Sequence, residues 1–170
     1  MTTTTPGGVP YNDGNPNCGT TKKFGIVKSD STCTNPSIIY DKNVPSLENI
    51  VLQHIAYFHP SKKGTYTFNV LEADDAAYIW FGKFAKDGFN SHNADITKFY
   101  GQPQRTPLTY QVEKAGAYIP FRLLYVNAQT CAAFSMTVKD PDGNEVVLTE
   151  KNKQFVFGCS KDSKAPPFDF

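Results

Sequence analysis

Three stretches of this chain alternate apolar and polar residues with a period of two, and nothing else in the sequence restricts the fold as strongly. Thr65 to Val70 puts Tyr66, Phe68 and Val70 on one face; Leu108 to Val112 does the same with Leu108, Tyr110 and Val112, and Ala133 to Val138 with Phe134, Met136 and Val138. That period is the mark of a strand with one buried face. Ile50 to Phe58 and Ile119 to Val126 are longer and apolar on both faces, as expected of strands inside a sandwich. Ser61-Lys62-Lys63-Gly64, Lys114-Ala115-Gly116 and Asp140-Pro141-Asp142-Gly143 each lie between two such runs at hairpin spacing. The prediction is an all-β, antiparallel β-sandwich. Its aromatic content, 14% with 13 Phe and 9 Tyr, suits pleated, half-buried surfaces better than helices.

At 170 residues the chain has room for one core rather than two. Residues 1–19, rich in Thr, Pro, Gly and Asn, read as an extended arm, residues 20–160 as the sandwich domain, and residues 161–170, with Ala165-Pro166-Pro167, as a linker. From Gly82 to Gln104 the period is lost, and Asp87-Gly88-Phe89-Asn90-Ser91-His92-Asn93 reads as part of a long connection. Long loops on rigid sheets are where binding tends to reside.

Lys and Arg (17) nearly balance Asp and Glu (16), so there is no basic field to attract nucleic acid. No apolar run is long enough to span a bilayer, and the amino terminus lacks an apolar signal core; the sequence reads as a mature segment with Met1 added in cloning. Cys18, Cys33, Cys131 and Cys159 are too widely spaced for Cys-x-x-Cys zinc or redox motifs, which leaves two disulfides in an oxidising compartment or four buried thiols. Of the three possible pairings, Cys18 with Cys159 would tie down both ends of the body and leave Cys33 for Cys131.

The signatures of common enzymes are missing: there is no Gly-x-Ser-x-Gly, His-Glu-x-x-His, Gly-x-Gly-x-x-Gly or P-loop. His54, His59 and His92 are unevenly placed and read as structural. Asp140 to Glu145 has the composition of a calcium loop, but its Gly falls at the fourth position rather than the sixth, so it reads as a turn. Asp74-Asp75, set directly before the apolar run Ala76 to Phe81, is the unusual feature. Two adjacent carboxylates repel one another and need a cation or water to offset them. Neighbouring side chains of an extended chain point to opposite faces, so both reach one ion only if the backbone is kinked, as by a cis peptide bond. A solvated turn is the other reading.

Lys63-Gly64-Thr65-Tyr66-Thr67-Phe68, then Asp74 to Gly82 (DDAAYIWFG), then Tyr118 to Ala128 (YIPFRLLYVNA), follow one another in an order that resembles the GLEYA and flocculin adhesin family of ascomycete yeasts. That family is related to the lectin-like domain first seen in anthrax protective antigen. The resemblance runs from about Ile50 to Cys159 and implies a lectin-like sandwich with long binding loops, two of which hold calcium. By the same resemblance Asp74 and Asp75 are ligands joined by a cis peptide, Asn127 supplies a side-chain oxygen, and Gln129 and Cys131 supply main-chain carbonyls. Such hard oxygen donors suit calcium and leave part of its coordination open, where vicinal sugar hydroxyls fit. Ala128, Gln129 and Thr130 then fall at specificity positions, with Trp80, Phe99 and Tyr100 as candidates either for stacking on the sugar ring or for core packing.

The resemblance therefore implies a non-enzymatic, calcium-dependent carbohydrate-binding domain of a fungal adhesin, secreted to the cell wall, monomeric, with glycans on cell or wall surfaces as partners. The string Gly-Leu-Glu-Tyr-Ala is absent, and Cys131 stands where many relatives carry Trp or Asp, so no relative's sugar preference transfers. Among terminal galactose, mannose and N-acetylglucosamine, the expectation leans to N-acetylglucosamine and chitin ends. Two competing readings are an accessory module of a glycoside hydrolase and a structural or homotypic wall protein. Adjacent carboxylates cannot flank a glycosidic bond from opposite sides, which disfavours hydrolysis.

Overall fold

The computed structural model describes residues 26–28, 33, 37–39, 42–44, 46–103, 107–148, 152–156 and 164–168. The arm over residues 1–19, Cys18 and Cys159 lie outside them. In chain order the elements are β1 (Ile26–Lys28), β2 (Ser37–Ile39), β3 (Lys42–Val44), β4 (Ile50–Phe58), β5 (Gly64–Asp74), β6 (Ala76–Phe81), a single helical turn α1 (Lys83–Lys86), β7 (Ile96–Phe99), β8 (Leu108–Val112), β9 (Ile119–Asn127), β10 (Ala133–Lys139) and β11 (Phe155–Val156).

Two antiparallel sheets stack, one ordered β1-β10-β5-β8 and the other β11-β4-β9-β6-β7, while β2 and β3 form a separate hairpin. The alternating runs supply the filling: Tyr66, Phe68 and Val70 of β5 meet Phe58, Phe81, Phe121 and Leu123 from the facing sheet. Phe68 lies edge-on to Phe58 at 5.3 Å and to Phe81 at 4.8 Å, the offset geometry that aromatic quadrupoles favour. The register of β5 against β10 slips between Ser135 and Met136, leaving Leu71 without a partner. This bulge turns Leu71 outward and inverts the alternation beyond it, so that Ala73 is buried and Asp74 arrives at the sheet end.

Two of the three expected hairpins are instead steps from one sheet to the other. The residues Ser61 to Gly64 lead from β4 to β5, and Lys114 to Gly116 from β8 to β9, and in each case the two strands belong to different sheets. Periodicity reports which side of a strand is wet but not which sheet it joins. Gly64 is needed at such a step because it sits at φ +132° and an added Cβ would come within 2.8 Å of Pro141. The third expectation is borne out: Asp140 to Asn144 is a turn, with Asp140 Oδ1 accepting from the amides of Asp142 and Asn144 and Lys62 Nζ donating to both carboxylates.

The connection expected over residues 82–104 contains α1 and β7, the latter paired to β6. The stretch read as a carboxy-terminal linker packs against the domain at its described residues: Ala165 and Phe168 are buried on the outer side of β4 against Tyr57, whose hydroxyl donates to the Pro167 carbonyl. Proline-rich composition misled here because an extended strip can still dock through alternate side chains.

Candidate functional site

The steps from β5 to β6 and from β9 to β10 lie at the same end of the sandwich, because Asp74 pairs with Ala133 on one sheet and Ala76 with Val126 on the other. The first step is Asp74-Asp75, and the peptide bond between them is cis. Its main chain is fully engaged. Asp75 N donates to the Val126 carbonyl (2.8 Å), Tyr100 N donates to the Asp75 carbonyl (2.7 Å), and Tyr125 Oη donates to the Asp74 carbonyl. The carboxylates are thus the groups left to act. Asp75 Oδ2 accepts from the Ala128 amide of the second step, and among the described residues no lysine or arginine pairs with either aspartate. Burial, then the charges of Asp75 and Glu72, push the Asp74 carboxyl above its usual range, which is the direction a nearby cation would reverse.

The second step starts at Asn127, which is 1% exposed. Its Nδ2 donates to the carbonyls of Leu47 (2.7 Å) and Thr130 (3.4 Å). Two carbonyl acceptors fix the orientation of the amide, because only the NH2 end can face them. The opposite end, Oδ1, is buried and has no hydrogen-bond partner. Thr130 follows at φ +64°, and Cys131 is joined to Cys33 by a disulfide with the Cα atoms 4.6 Å apart. The Ala128 carbonyl accepts from Asn49 N (2.7 Å) and the Thr130 carbonyl from Asn127 Nδ2 (3.4 Å), which hold the loop in place.

Two carboxylates and one orphaned buried amide oxygen are hard oxygen donors of the kind that would suit calcium. Among the described residues no three His, Cys, Asp or Glu side chains converge. Ala128, Gln129 and Thr130 are exposed beside the pair.

The aromatic candidates separate. Tyr100 is 69% exposed and Phe99 38%, and both adjoin Asp75 through the end of β7. Trp80 is 1% exposed, and its indole N–H donates to the Asn90 carbonyl and to Asn93 Oδ1, so the segment 83–93 roofs it over and it presents no face to a sugar. Sequence reasoning missed the segment 46–49, which holds the second loop through Leu47 and Asn49, and it missed Tyr125. Leu47, apolar beside Ser46 and Glu48, was the available signal for the first.

The GLEYA domain matches residues 50–140. The chain is 31% identical over 117 residues to flocculation protein FLO10 of Saccharomyces cerevisiae, covering 58% of this chain and 9% of that protein. Among solved structures, the A domain of epithelial adhesin 6 from Candida glabrata, in complex with Galβ1-3GlcNAc, superposes with a TM-score of 0.57 at 27% identity, covering 73% of this chain and 58% of that one. The A domain of epithelial adhesin 9 from the same organism superposes with a TM-score of 0.58 at 17% identity over 80% of this chain and 69% of that one, a likeness of fold.

Proposed function

Because the chain belongs to the GLEYA domain family, we propose that it is the glycan-binding part of a fungal cell-surface adhesin and that it takes terminal sugars through calcium held by Asp74, Asp75, Asn127 and the carbonyls of Gln129 and Cys131. Its relatives are adhesins rather than enzymes. The observation that carries the reading is the orphaned Oδ1 of Asn127, at the same end of the sandwich as a carboxylate pair that no lysine or arginine among the described residues neutralises. Burying an amide oxygen without a partner costs about 1–3 kcal/mol, which a ligand would recover.

When bound, calcium supplies open coordination positions that two vicinal sugar hydroxyls fit. The protein's own part is division of labour. Asp74 and Asp75 provide charge, Asn127 fixes depth, exposed Ala128, Gln129 and Thr130 line the approach, and Tyr100 and Phe99 offer ring faces to the apolar side of a sugar. Small uncharged Ala128 and Thr130 do not discriminate among terminal galactose, mannose and N-acetylglucosamine, of which the proposal takes N-acetylglucosamine first. In this reading the domain acts as a monomer at the cell wall.

A glycan array read with calcium and again with chelator tests this. Signals on terminal sugars that vanish with chelator are expected. Binding that survives chelation, or no binding together with self-association, would replace the reading by a homotypic wall protein.

A further inference from the structure

Tyr125 lies two residues before Asn127 on β9, with its ring wholly enclosed and packed on Phe134 at 5.5 Å. Its hydroxyl emerges at the end of the sandwich where the two loops meet. There it donates to the Asp74 carbonyl and accepts from the Ala133 amide (2.9 Å). One oxygen thus ties the first loop to the strand that receives the second. Asp74 and Ala133 are partners in the β5–β10 register, and the hydroxyl closes that pair from above. No other side chain among the described hydrogen bonds joins the main chains of both steps; the Asp75–Ala128 bond uses a carboxylate that is itself a candidate ligand.

We propose that Tyr125 is a positioning residue of the cation site: its hydroxyl holds the Asp74 carbonyl against the start of β10 and so sets where the two carboxylates stand relative to Asn127 Oδ1. The proposal rests on the calcium reading given above. The ring belongs to the core, so the two roles of this residue separate at one atom. Tyr125→Phe keeps the packing and removes the bridge, leaving a carbonyl and an amide to drift apart. Groups that orient metal ligands from behind commonly change metal affinity by about 10–100-fold when removed.

The test compares wild type, Tyr125→Phe and Val138→Ala by calorimetric titration with calcium chloride. Val138 is fully buried on β10, five residues beyond Ala133, and serves as a core substitution away from the site. Tyr125→Phe is expected to bind calcium about tenfold more weakly or worse, while its glycan affinity at saturating calcium stays within about twofold of wild type. Val138→Ala is expected to lower the melting temperature and leave calcium affinity unchanged. In calcium-free protein, amide exchange at Ala133 should accelerate in Tyr125→Phe alone. If Tyr125→Phe folds only in calcium, the concentration at which it folds replaces the dissociation constant, and a value well above that of wild type is expected. Equal calcium affinity in Tyr125→Phe and wild type would overturn the positioning role and leave the calcium reading standing. A wild type that takes up no calcium would overturn both.

Discussion

The amide of Ala128 donates to the carboxylate of Asp75 across 53 residues of sequence, so the two loops at the end of the sandwich are joined before any ligand arrives. Asp75→Asn weakens the charge of that contact, and Asn127→Ala removes the orphaned oxygen. Both variants should lose calcium uptake and glycan binding to background, as read by calorimetry. In chelator Asp75→Asn should melt within a few degrees of wild type, because Tyr66, Phe68, Phe121, Leu123, Phe134 and Met136 form the core without it, whereas Asn127→Ala should melt lower but still cooperatively, since it also strips the bonds to the Leu47 and Thr130 carbonyls. Normal sugar binding by Asn127→Ala would rule out a calcium bridge.

Gln129→Ala keeps its carbonyl, so calcium affinity should hold while glycan affinity falls by roughly 1–3 kcal/mol or changes preference. Tyr100→Ala should cost about 1 kcal/mol of glycan binding through the lost ring face. Trp80→Phe should leave glycan affinity alone and lower the melting temperature, since it strips the bonds to Asn90 and Asn93. A titration series on one array hit separates these outcomes.

Phe168→Ala tests whether the carboxy-terminal strip is part of the domain. Its ring meets Tyr57 at 5.3 Å and is 6% exposed. Truncation should destabilise by up to about 3 kcal/mol, at the low end for a buried Phe. An unchanged urea midpoint would return this strip to the status of a linker.

His54 points into the core between Leu52 and Ala56, and burial depresses its pKa from 6.5 to about 4. The native imidazole stays neutral while the unfolded one takes a proton below about pH 6.5, so the unfolded state binds more protons in that interval. Stability should fall as pH drops from about 6.5 to 4, by on the order of 3 kcal/mol from this residue. The raised carboxyls of Asp74 and Asp95 act in the opposite sense, adding stability as they protonate. The comparison is therefore between wild type and His54→Leu, in which the acid loss should shrink; identical pH profiles would sink the assignment.

Much of this was legible in the residues. Alternation marked Tyr66, Phe68, Phe134 and Met136 as core, the kink that Asp74-Asp75 would need to share an ion is present as a cis peptide bond, and the pairing of Cys33 with Cys131 is present. Other features depended on relations between distant segments. Trp80 sits in a run apolar on both sides, and only the roof of residues 83–93 reveals that its face is the outer one. The strand Ile96–Phe99 is too short to show a period and exists because β6 has a free edge. The clamp from Leu47 and Asn49 uses main-chain atoms, which every residue has, so that its only trace in the sequence is the apolar Leu47 between Ser46 and Glu48.

The sheet order carries a consequence for how the molecule comes into being. β9 lies between β4 and β6, and both steps at the binding end cross from one layer to the other. A chain emerging from the ribosome holds Asp74 and Asp75 more than fifty residues before Asn127, yet the three share no neighbourhood until β9 has slotted between its partners. Contacts of such long sequence separation form late in folding. A misassembled chain therefore carries the residues of the proposed site without their arrangement, and the two steps form one surface only when β9 closes between β4 and β6.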